Sequence, residues 1–144
     1  MSSRSGQAAK AGETVLVVED EVLLRLSIAA YLRDCGYSVI EAADADEAVL
    51  VLKQPDLDID VLFTEIEKPG AMDGFGLAQW TRANRRGLDV ILTGTAPRAV
   101  NAAANLCEDG PVPKPYEPQL VHDRIRRLLA ARPPRRPAGR PKKP

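Results

Sequence analysis

The sequence predicts an α/β fold, a five-stranded parallel sheet covered by helices on both of its faces. Short apolar runs that suit strands alternate along the chain with segments of helical periodicity, five of each. These runs are apolar on both sides, as is typical of strands buried between two helical layers. The 144 residues suit a single domain, and 44% of them are hydrophobic, which is enough to build a core.

The first strand follows a small, polar segment, residues 1–12, that we expect to be disordered. Residues 14–18 form an apolar, β-branched run and predict a central strand. Residues 22–35 carry apolar side chains at a spacing of three to four and predict an amphipathic helix, which Gly36 ends. Its apolar positions fall in two rows, one with Leu23, Leu26 and Ala30 and the other with Leu24, Ile28, Tyr31 and Cys35.

The second and third strands flank a helix that begins with a capping pattern. Residues 37–42 predict the second strand. Asp44 followed by Glu47 is a variant of the capping box and opens a helix rich in Ala, Val and Leu. Residues 59–64 predict the third strand, and Glu65 stands at its carboxyl end.

Turn-forming residues 69–74 lead into the third helix, predicted for residues 75–85. Leu77, Ala78, Trp80 and Thr81 lie on or near one face of this helix. Residues 88–92 predict the fourth strand, which Thr93 and Gly94 close. Residues 98–106 predict a weak, Ala-rich helix.

The last strand and helix precede a basic tail. Residues 111–114 predict a short fifth strand. This strand is weakened by its two prolines, because proline cannot donate hydrogen bonds to a sheet. Residues 118–130 predict the last helix, with Leu120, Ile125, Leu128 and Leu129 facing inward. The Pro- and Arg-rich residues 132–144 cannot form a core, so we expect a disordered tail after a domain of residues 13–131.

Composition excludes several classes of protein. The formal net charge is zero, but six bases and no acids fall in residues 132–144, which leaves residues 1–131 at −6. A protein that is basic throughout is therefore excluded, although a local basic tail is present. No apolar run is long enough for a membrane span or a signal peptide, so we expect a soluble, cytoplasmic protein. With one histidine, His122, no hydrolase triad can be assembled, and we expect no enzymatic activity.

Chemically active side chains follow the predicted strands where each strand ends. In doubly wound sheets the functional site lies outside the carboxyl ends of the strands. This rule selects three carboxylates, one hydroxyl and one ammonium group, which belong to Glu19, Asp20, Glu65, Thr93 and Lys114. Clustered carboxylates suit a hard cation such as Mg²⁺, and the hydroxyl and ammonium groups could stabilise a transferring phosphoryl group.

These segments resemble the receiver domains of two-component response regulators. The resemblance covers about residues 13–131 and rests on five motifs in order, within residues 15–21, 60–65, 69–75, 91–93 and 114–116. It implies the flavodoxin-like strand order 2-1-3-4-5 and a phosphoryl group received from a histidine kinase or phosphotransfer protein. By this resemblance Glu19 and Asp20, with Glu65, bind Mg²⁺, Thr93 is the switch hydroxyl, and Lys114 pairs with the phosphate.

Two departures from the family pattern alter the expected mechanism. The family's phosphoacceptor is an aspartate four residues before the motif proline, Pro69, and that position holds Glu65. The extra methylene moves the carboxylate by about 1.5 Å, enough to impair the alignment of reacting groups. Three residues before Lys114, where the family has a large switch residue, stands Pro111. Glu65 could instead mimic the phosphorylated state by offering its carboxylate to Thr93 and Lys114.

The sequence thus predicts an atypical, stand-alone receiver that acts through protein–protein contacts, with weak or no phosphorylation. A homodimer could form through the face of the fourth and fifth predicted helices and the fifth strand. One alternative is a Mg²⁺-dependent phosphoacceptor that uses Glu65. A second alternative is a nucleic-acid-associated regulator that uses the basic tail, residues 132–144, and we rank this below the others because no DNA-binding module follows the receiver.

Overall fold

The computed structural model describes residues 12–66, 72–94 and 112–132. Five strands form one parallel sheet in the order β2-β1-β3-β4-β5, which confirms the predicted architecture and strand order. The strands are β1 (Thr14–Val18), β2 (Ser38–Ala42), β3 (Val61–Glu65), β4 (Asp89–Gly94) and β5 (Val112–Pro113). The described helices are α1 (Val22–Asp34), α2 (Ala45–Leu52), α3 (Gly74–Asn84) and α4 (Pro118–Ala130).

Each face of the sheet carries its own buried cluster. On one face, side chains of β1, β3 and β4, such as Leu16 and Leu62, pack with α2 and α3. On the other face, alternate residues of the same strands, such as Val17 and Phe63, pack with α1 and α4. The central strands are therefore buried on both sides, as their continuous apolar sequence predicts.

Helix α1 buries only one of its two apolar rows. Ile28 and Leu32 are buried against the sheet. Leu23 and Leu26, which belong to the other row, are 76% and 49% exposed. A helix can present only one stripe of about a third of its circumference to a flat sheet, so the second row remains at the surface.

Helix α4 differs from the prediction in one inward position. Ile125 and Leu128 are buried, but Leu120 is 42% exposed, and Val121 is buried in its place. Val121 lies four residues before Ile125 and seven before Leu128, and this spacing places all three on one face of the helix. Leu120 is rotated by one residue away from that face.

The ends of the elements follow local chemistry. The capping pattern is confirmed at α2, where Asp44 Oδ1 accepts from the N–H of Glu47 at 2.9 Å and Glu47 Oε1 accepts from the N–H of Ala43 at 2.7 Å. Strand β3 begins at Val61, two residues later than predicted. The helix predicted for residues 98–106 lies outside the described residues.

Arg132, which the sequence assigns to the tail, is instead anchored at the amino edge of the sheet. Its guanidinium donates to Asp60 Oδ1 at 3.3 Å, to Asp89 Oδ2 at 3.0 Å, and to the carbonyls of Asp60 and Gly87 at 2.8 Å each. Asp60 is buried and also accepts from the N–H of Thr14 at 2.8 Å. Arg132 thus ties the end of α4 to the starts of β1, β3 and β4.

Candidate functional site

Glu19 and Asp20 follow β1 at the carboxyl edge of the sheet. The N–H of Glu19 donates to the carbonyl of Ala42 at 3.1 Å, which extends the pairing of β1 with β2 by one residue. Glu19 is 1% exposed, whereas Asp20 is exposed. Glu19 Oε2 also accepts from the N–H of Glu21 at 3.1 Å. The two neighbouring acids therefore have different surroundings, one in the protein interior and one at the surface.

Glu65 ends β3 directly beside Thr93 of β4, its partner in the sheet register. The N–H of Ile66 donates to the carbonyl of Thr93 at 2.7 Å, so the pairing of the two strands continues past Glu65. The Glu65 side chain is 12% exposed. One carboxylate oxygen from each of Glu19, Asp20 and Glu65 lies within 4.8 Å of the others, so the three predicted metal ligands meet at one point.

Lys114 brings its ammonium group into this acidic cluster from the end of β5. Its Nζ lies 2.8 Å from Glu65 Oε2 and 3.5 Å from Glu19 Oε1. The side chain is 18% exposed, so the two ion pairs are shielded from solvent. Charge-assisted hydrogen bonds in such a setting are stronger than those between neutral groups.

Burial and neighbouring charges perturb the titration of this cluster. Burial, joined by the nearby charge of Glu19, raises the pKa of Glu65 to about 7, although the Lys114 ammonium opposes this effect. For Lys114, burial lowers the pKa, but the hydrogen bond to Glu65 and the charges of Glu19 and Glu65 together raise it above its usual value. Glu65 thus titrates near neutral pH, while Lys114 keeps its charge.

Two buried oxygens at the site have no hydrogen-bond partner among the described residues, and they are Glu65 Oε1 and Thr93 Oγ1. Glu65 therefore offers its carboxylate to Lys114 but not to Thr93, whose hydroxyl donates no hydrogen bond to it. Mg²⁺ takes carboxylate oxygens as ligands and keeps several waters. The oxygens of Glu19, Asp20 and Glu65, with Oε1 unpartnered, fit such an ion.

The sequence interpretation missed the role of Gly74, the first residue of α3. A Cβ at this position would lie 2.1 Å from the carbonyl oxygen of Glu65 and 2.7 Å from the Cα of Ile66. The N–H of Gly74 donates to the carbonyl of Ile66 at 3.0 Å. Only glycine lets α3 approach the segment after β3 so closely. The Asp73-Gly74 pair is typical of a turn, and nothing in its local pattern indicates this approach.

Tyr116 and Arg25 are further residues near the site that the sequence did not single out. The ring of Tyr116 contacts Phe63 edge-on, with centroids 5.4 Å apart, and its hydroxyl is buried without a partner among the described residues. Burial, with the charges of Glu19 and Glu65, raises the pKa of Tyr116. Arg25 donates to the carbonyl oxygen of Glu19 at 2.9 Å and holds the backbone of the acidic pair.

The remaining candidates lie elsewhere. Asp60 is at the opposite edge of the sheet, bound to Arg132, and Asp73 caps α3 by accepting from the N–H of Gly76 at 2.9 Å. His122 is half-buried, with Nδ1 3.5 Å from Cys35 Sγ, so it belongs to the contact between α1 and α4. Pro111 lies outside the described residues. The five groups that the strand-end rule selects thus lie together at the carboxyl edge of the sheet.

Comparison with known proteins places this geometry in a family. A family model described as response regulator receiver domain matches residues 15–126. The chain is 30% identical over 118 residues to the probable transcriptional regulator ycf27 of Porphyridium aerugineum, covering 81% of this chain and 48% of the relative. It is 32% identical over 116 residues to the protein of the same name from Cyanophora paradoxa, covering 80% and 47%. The chain spans about half the length of these curated relatives.

Solved structures give the same result. A response regulator receiver protein from Sinorhizobium medicae WSM419 superimposes with a TM-score of 0.75 at 25% identity, covering 87% of this chain and 99% of that chain. A CheY-like receiver domain protein from Methanospirillum hungatei JF-1 shares the fold with a TM-score of 0.73 at 22% identity, covering 82% and 94%. Receiver domains are signalling domains of two-component systems. This chain therefore belongs to the response regulator receiver domain family.

Proposed function

We propose that this receiver domain signals through contacts with other proteins of a two-component system and that phosphorylation at its acceptor position is weak or absent. The observation that carries the proposal is the ion pair between Lys114 Nζ and Glu65 Oε2, at 2.8 Å. By its family position Lys114 pairs with the phosphoryl group, and here a carboxylate of the same chain already occupies it. The site thus holds part of the charge arrangement of an activated receiver without modification.

The geometry of Glu65 supports weak phosphorylation in a second way. In-line transfer requires the reacting atoms to be aligned, and a misplacement of about 1 Å can cost roughly 100-fold in rate. The extra methylene of Glu65 moves its carboxylate by more than that. Its Oε2 is engaged by Lys114, so only Oε1 is available as a nucleophile.

A Mg²⁺ ion fits the site as part of this proposal. Glu19, Asp20 and Glu65 would hold it, and it would neutralise the negative charge that gathers there. Two other residues of the site have separate roles. Lys114 balances one charge of the cluster, and Thr93 offers a buried hydroxyl for an incoming oxygen atom.

The second candidate is a working phosphoacceptor that uses Glu65, and the unpartnered Oε1 favours it. In that reaction Oε1 attacks the phosphorus of a phosphohistidine, an O–P bond forms, and the P–N bond of the donor breaks. The imidazole nitrogen leaves with the electron pair and takes up a proton. The partner in either case is a histidine kinase or phosphotransfer protein, as receiver domains in general have.

Intact-mass measurement separates the two candidates. The native chain, Glu65→Asp and Glu65→Gln are incubated with Mg²⁺ and a small-molecule phosphodonor. We expect an adduct of one phosphoryl group on Glu65→Asp only, because aspartate restores the reach of the family's acceptor. An adduct on the native chain that forms as fully as on Glu65→Asp and disappears in Glu65→Gln overturns the proposal and establishes a glutamyl acceptor. If none of the three proteins forms an adduct, the extra methylene of Glu65 does not by itself explain the loss of phosphorylation.

Two further expectations stay predictions. The homodimer face includes the helix predicted for residues 98–106, which lies outside the described residues. The cytoplasmic location rests on the sequence. Within the described residues, no helix is long and apolar enough to cross a membrane.

A further inference from the structure

Arg25, in the second turn of α1, reaches back to the acidic pair that follows β1. Its Nη1 donates to the carbonyl oxygen of Glu19 at 2.9 Å, and its Nε donates to Glu41 Oε1 in β2 at 3.3 Å. The side chain is half-buried. Arg25 thus joins α1 and β2 to the backbone of the acidic pair, and the function proposed above gives it no role.

The contact with the Glu19 carbonyl acts on the peptide that leads into Asp20. A peptide group is planar, so the carbonyl oxygen of Glu19 and the N–H of Asp20 share one plane with the Cα atoms of both residues. A donor that holds this oxygen therefore sets the direction in which the chain enters Asp20. Asp20 is exposed, yet one of its carboxylate oxygens lies within 4.8 Å of those of Glu19 and Glu65. The orientation of this peptide decides whether the exposed side chain reaches that position.

Glu19, the buried member of the pair, is held through each of its polar groups. Its N–H donates to the carbonyl of Ala42 at 3.1 Å, and its carbonyl accepts from Arg25. Its Oε2 accepts from the N–H of Glu21 at 3.1 Å, and its Oε1 lies 3.5 Å from Lys114 Nζ. The contact with Arg25 differs from the other three because it acts on the peptide between the two acids. It therefore bears on the direction of both carboxylates.

The charge of Arg25 is balanced by Glu41, which it shares with Arg33. Arg33 Nη1 lies 3.2 Å from Glu41 Oε2, and Arg33 Nη2 donates to the carbonyl of Val39 at 2.9 Å. Arg33 lies eight residues, about 12 Å, further along α1 than Arg25. A cation near the start of a helix is opposed by the helix dipole, so helix stability does not explain the position of Arg25. Its hydrogen bond to Glu19 gives that position a purpose.

We propose that Arg25 is a positioning residue, which orients the peptide between Glu19 and Asp20 so that both carboxylates face the metal position. The inference rests on the proposed function in one respect, that Mg²⁺ is the ion held there. Groups that orient metal ligands typically contribute about 10- to 100-fold to metal affinity. A cation without this role would repel Mg²⁺, so its removal would strengthen binding. The two roles of Arg25 therefore predict changes of opposite sign.

Mg²⁺ titration of the full chain, followed through the NMR shifts of backbone amides, tests the inference. The variant is Arg25→Gln. The matched control is Arg33→Gln, which removes the same charge from the same partner, Glu41, but leaves the contact with Glu19 in place. Arg25→Gln is expected to bind Mg²⁺ about tenfold more weakly than the native chain, and the control to bind like the native chain. Equal or tighter binding by Arg25→Gln than by the control overturns the inference.

Amide hydrogen exchange without Mg²⁺ tests the positioning role apart from the metal. The N–H groups of Glu19 and Glu21 both make hydrogen bonds at the acidic pair. They are expected to exchange faster in Arg25→Gln than in Arg33→Gln, relative to the N–H of buried Leu62, which reports global unfolding. Equal relative exchange in the two variants overturns the inference. A native chain that binds no Mg²⁺ overturns the metal part of the proposed function, and the exchange comparison then decides the role of Arg25.

Discussion

Glu65 couples the stability of the domain to pH. Its pKa is 4.5 in an unperturbed chain and about 7 in the folded protein, where it is raised chiefly by burial. The folded state therefore binds more protons than the unfolded state between these two values, and the free energy of unfolding decreases as pH rises through this window. The difference corresponds to about 3 kcal/mol once the carboxyl group is fully ionised.

Replacing Glu65 with glutamine removes this titration. We expect the stability advantage of the native chain over Glu65→Gln to fall by about 3 kcal/mol between pH 4.5 and pH 8. Urea unfolding, followed through the single tryptophan, gives both profiles. Glu117→Gln, which changes an exposed carboxyl group at the start of α4, is the matched control.

Mg²⁺ should reverse the effect at high pH, because a cation bound by Glu19, Asp20 and Glu65 favours their ionised forms. At 100 times its Kd, such an ion adds about 2.7 kcal/mol to the free energy of unfolding. Two results would refute the reasoning. One is a carboxyl resonance of Glu65 that titrates at or below its unperturbed value in an NMR experiment. The other is a pair of parallel stability profiles for the native chain and Glu65→Gln.

Three other predictions follow from the packing. Gly74→Ala should lower the free energy of unfolding by about 3 kcal/mol in urea titrations, because its methyl group meets the backbone after β3; unchanged stability would contradict the close approach. Arg132→Ala should cost about 3 kcal/mol by removing the cation that faces buried Asp60, and clearly less when Asp60→Asn is already present. In a Cys107→Ser background, Cys35 should react with iodoacetamide more slowly at pH 7 than a free thiol, since burial raises its pKa.

The sequence predicted the members of the site because topology alone brings them together. Parallel strands end at one edge, so Glu19, Glu65 and Lys114 had to lie close to one another once the strands were identified. The sequence could not predict which of these side chains contacts the Glu65 carboxylate. Lys114 reaches the Glu65 carboxylate while the Thr93 hydroxyl does not, and this depends on side-chain positions of about 1 Å, which periodicity cannot resolve.

The local sequence pattern also could not predict the structure where it allows two different arrangements of the side chains. The two apolar rows of α1 satisfy the same helical spacing, and only the shape of the sheet selects Ile28 and Leu32 over Leu23 and Leu26. Arg132 was assigned to the tail because its neighbours are prolines and arginines. Its anchoring depends on buried Asp60, 72 residues away, and pairings across such a separation leave no trace in local composition.

Helix α4 carries the chain from Lys114, at the acidic cluster, back to Arg132 at the other end of the strands. Thirteen helical residues span about 20 Å, so a reporter attached just after Arg132 starts on the far side of the sheet from Glu65. A dye or affinity handle placed there would leave the carboxylates accessible to a metal ion or a partner. The same placement makes the reporter sensitive to events at the amino edge of the sheet, where Arg132 contacts Asp60 and Asp89.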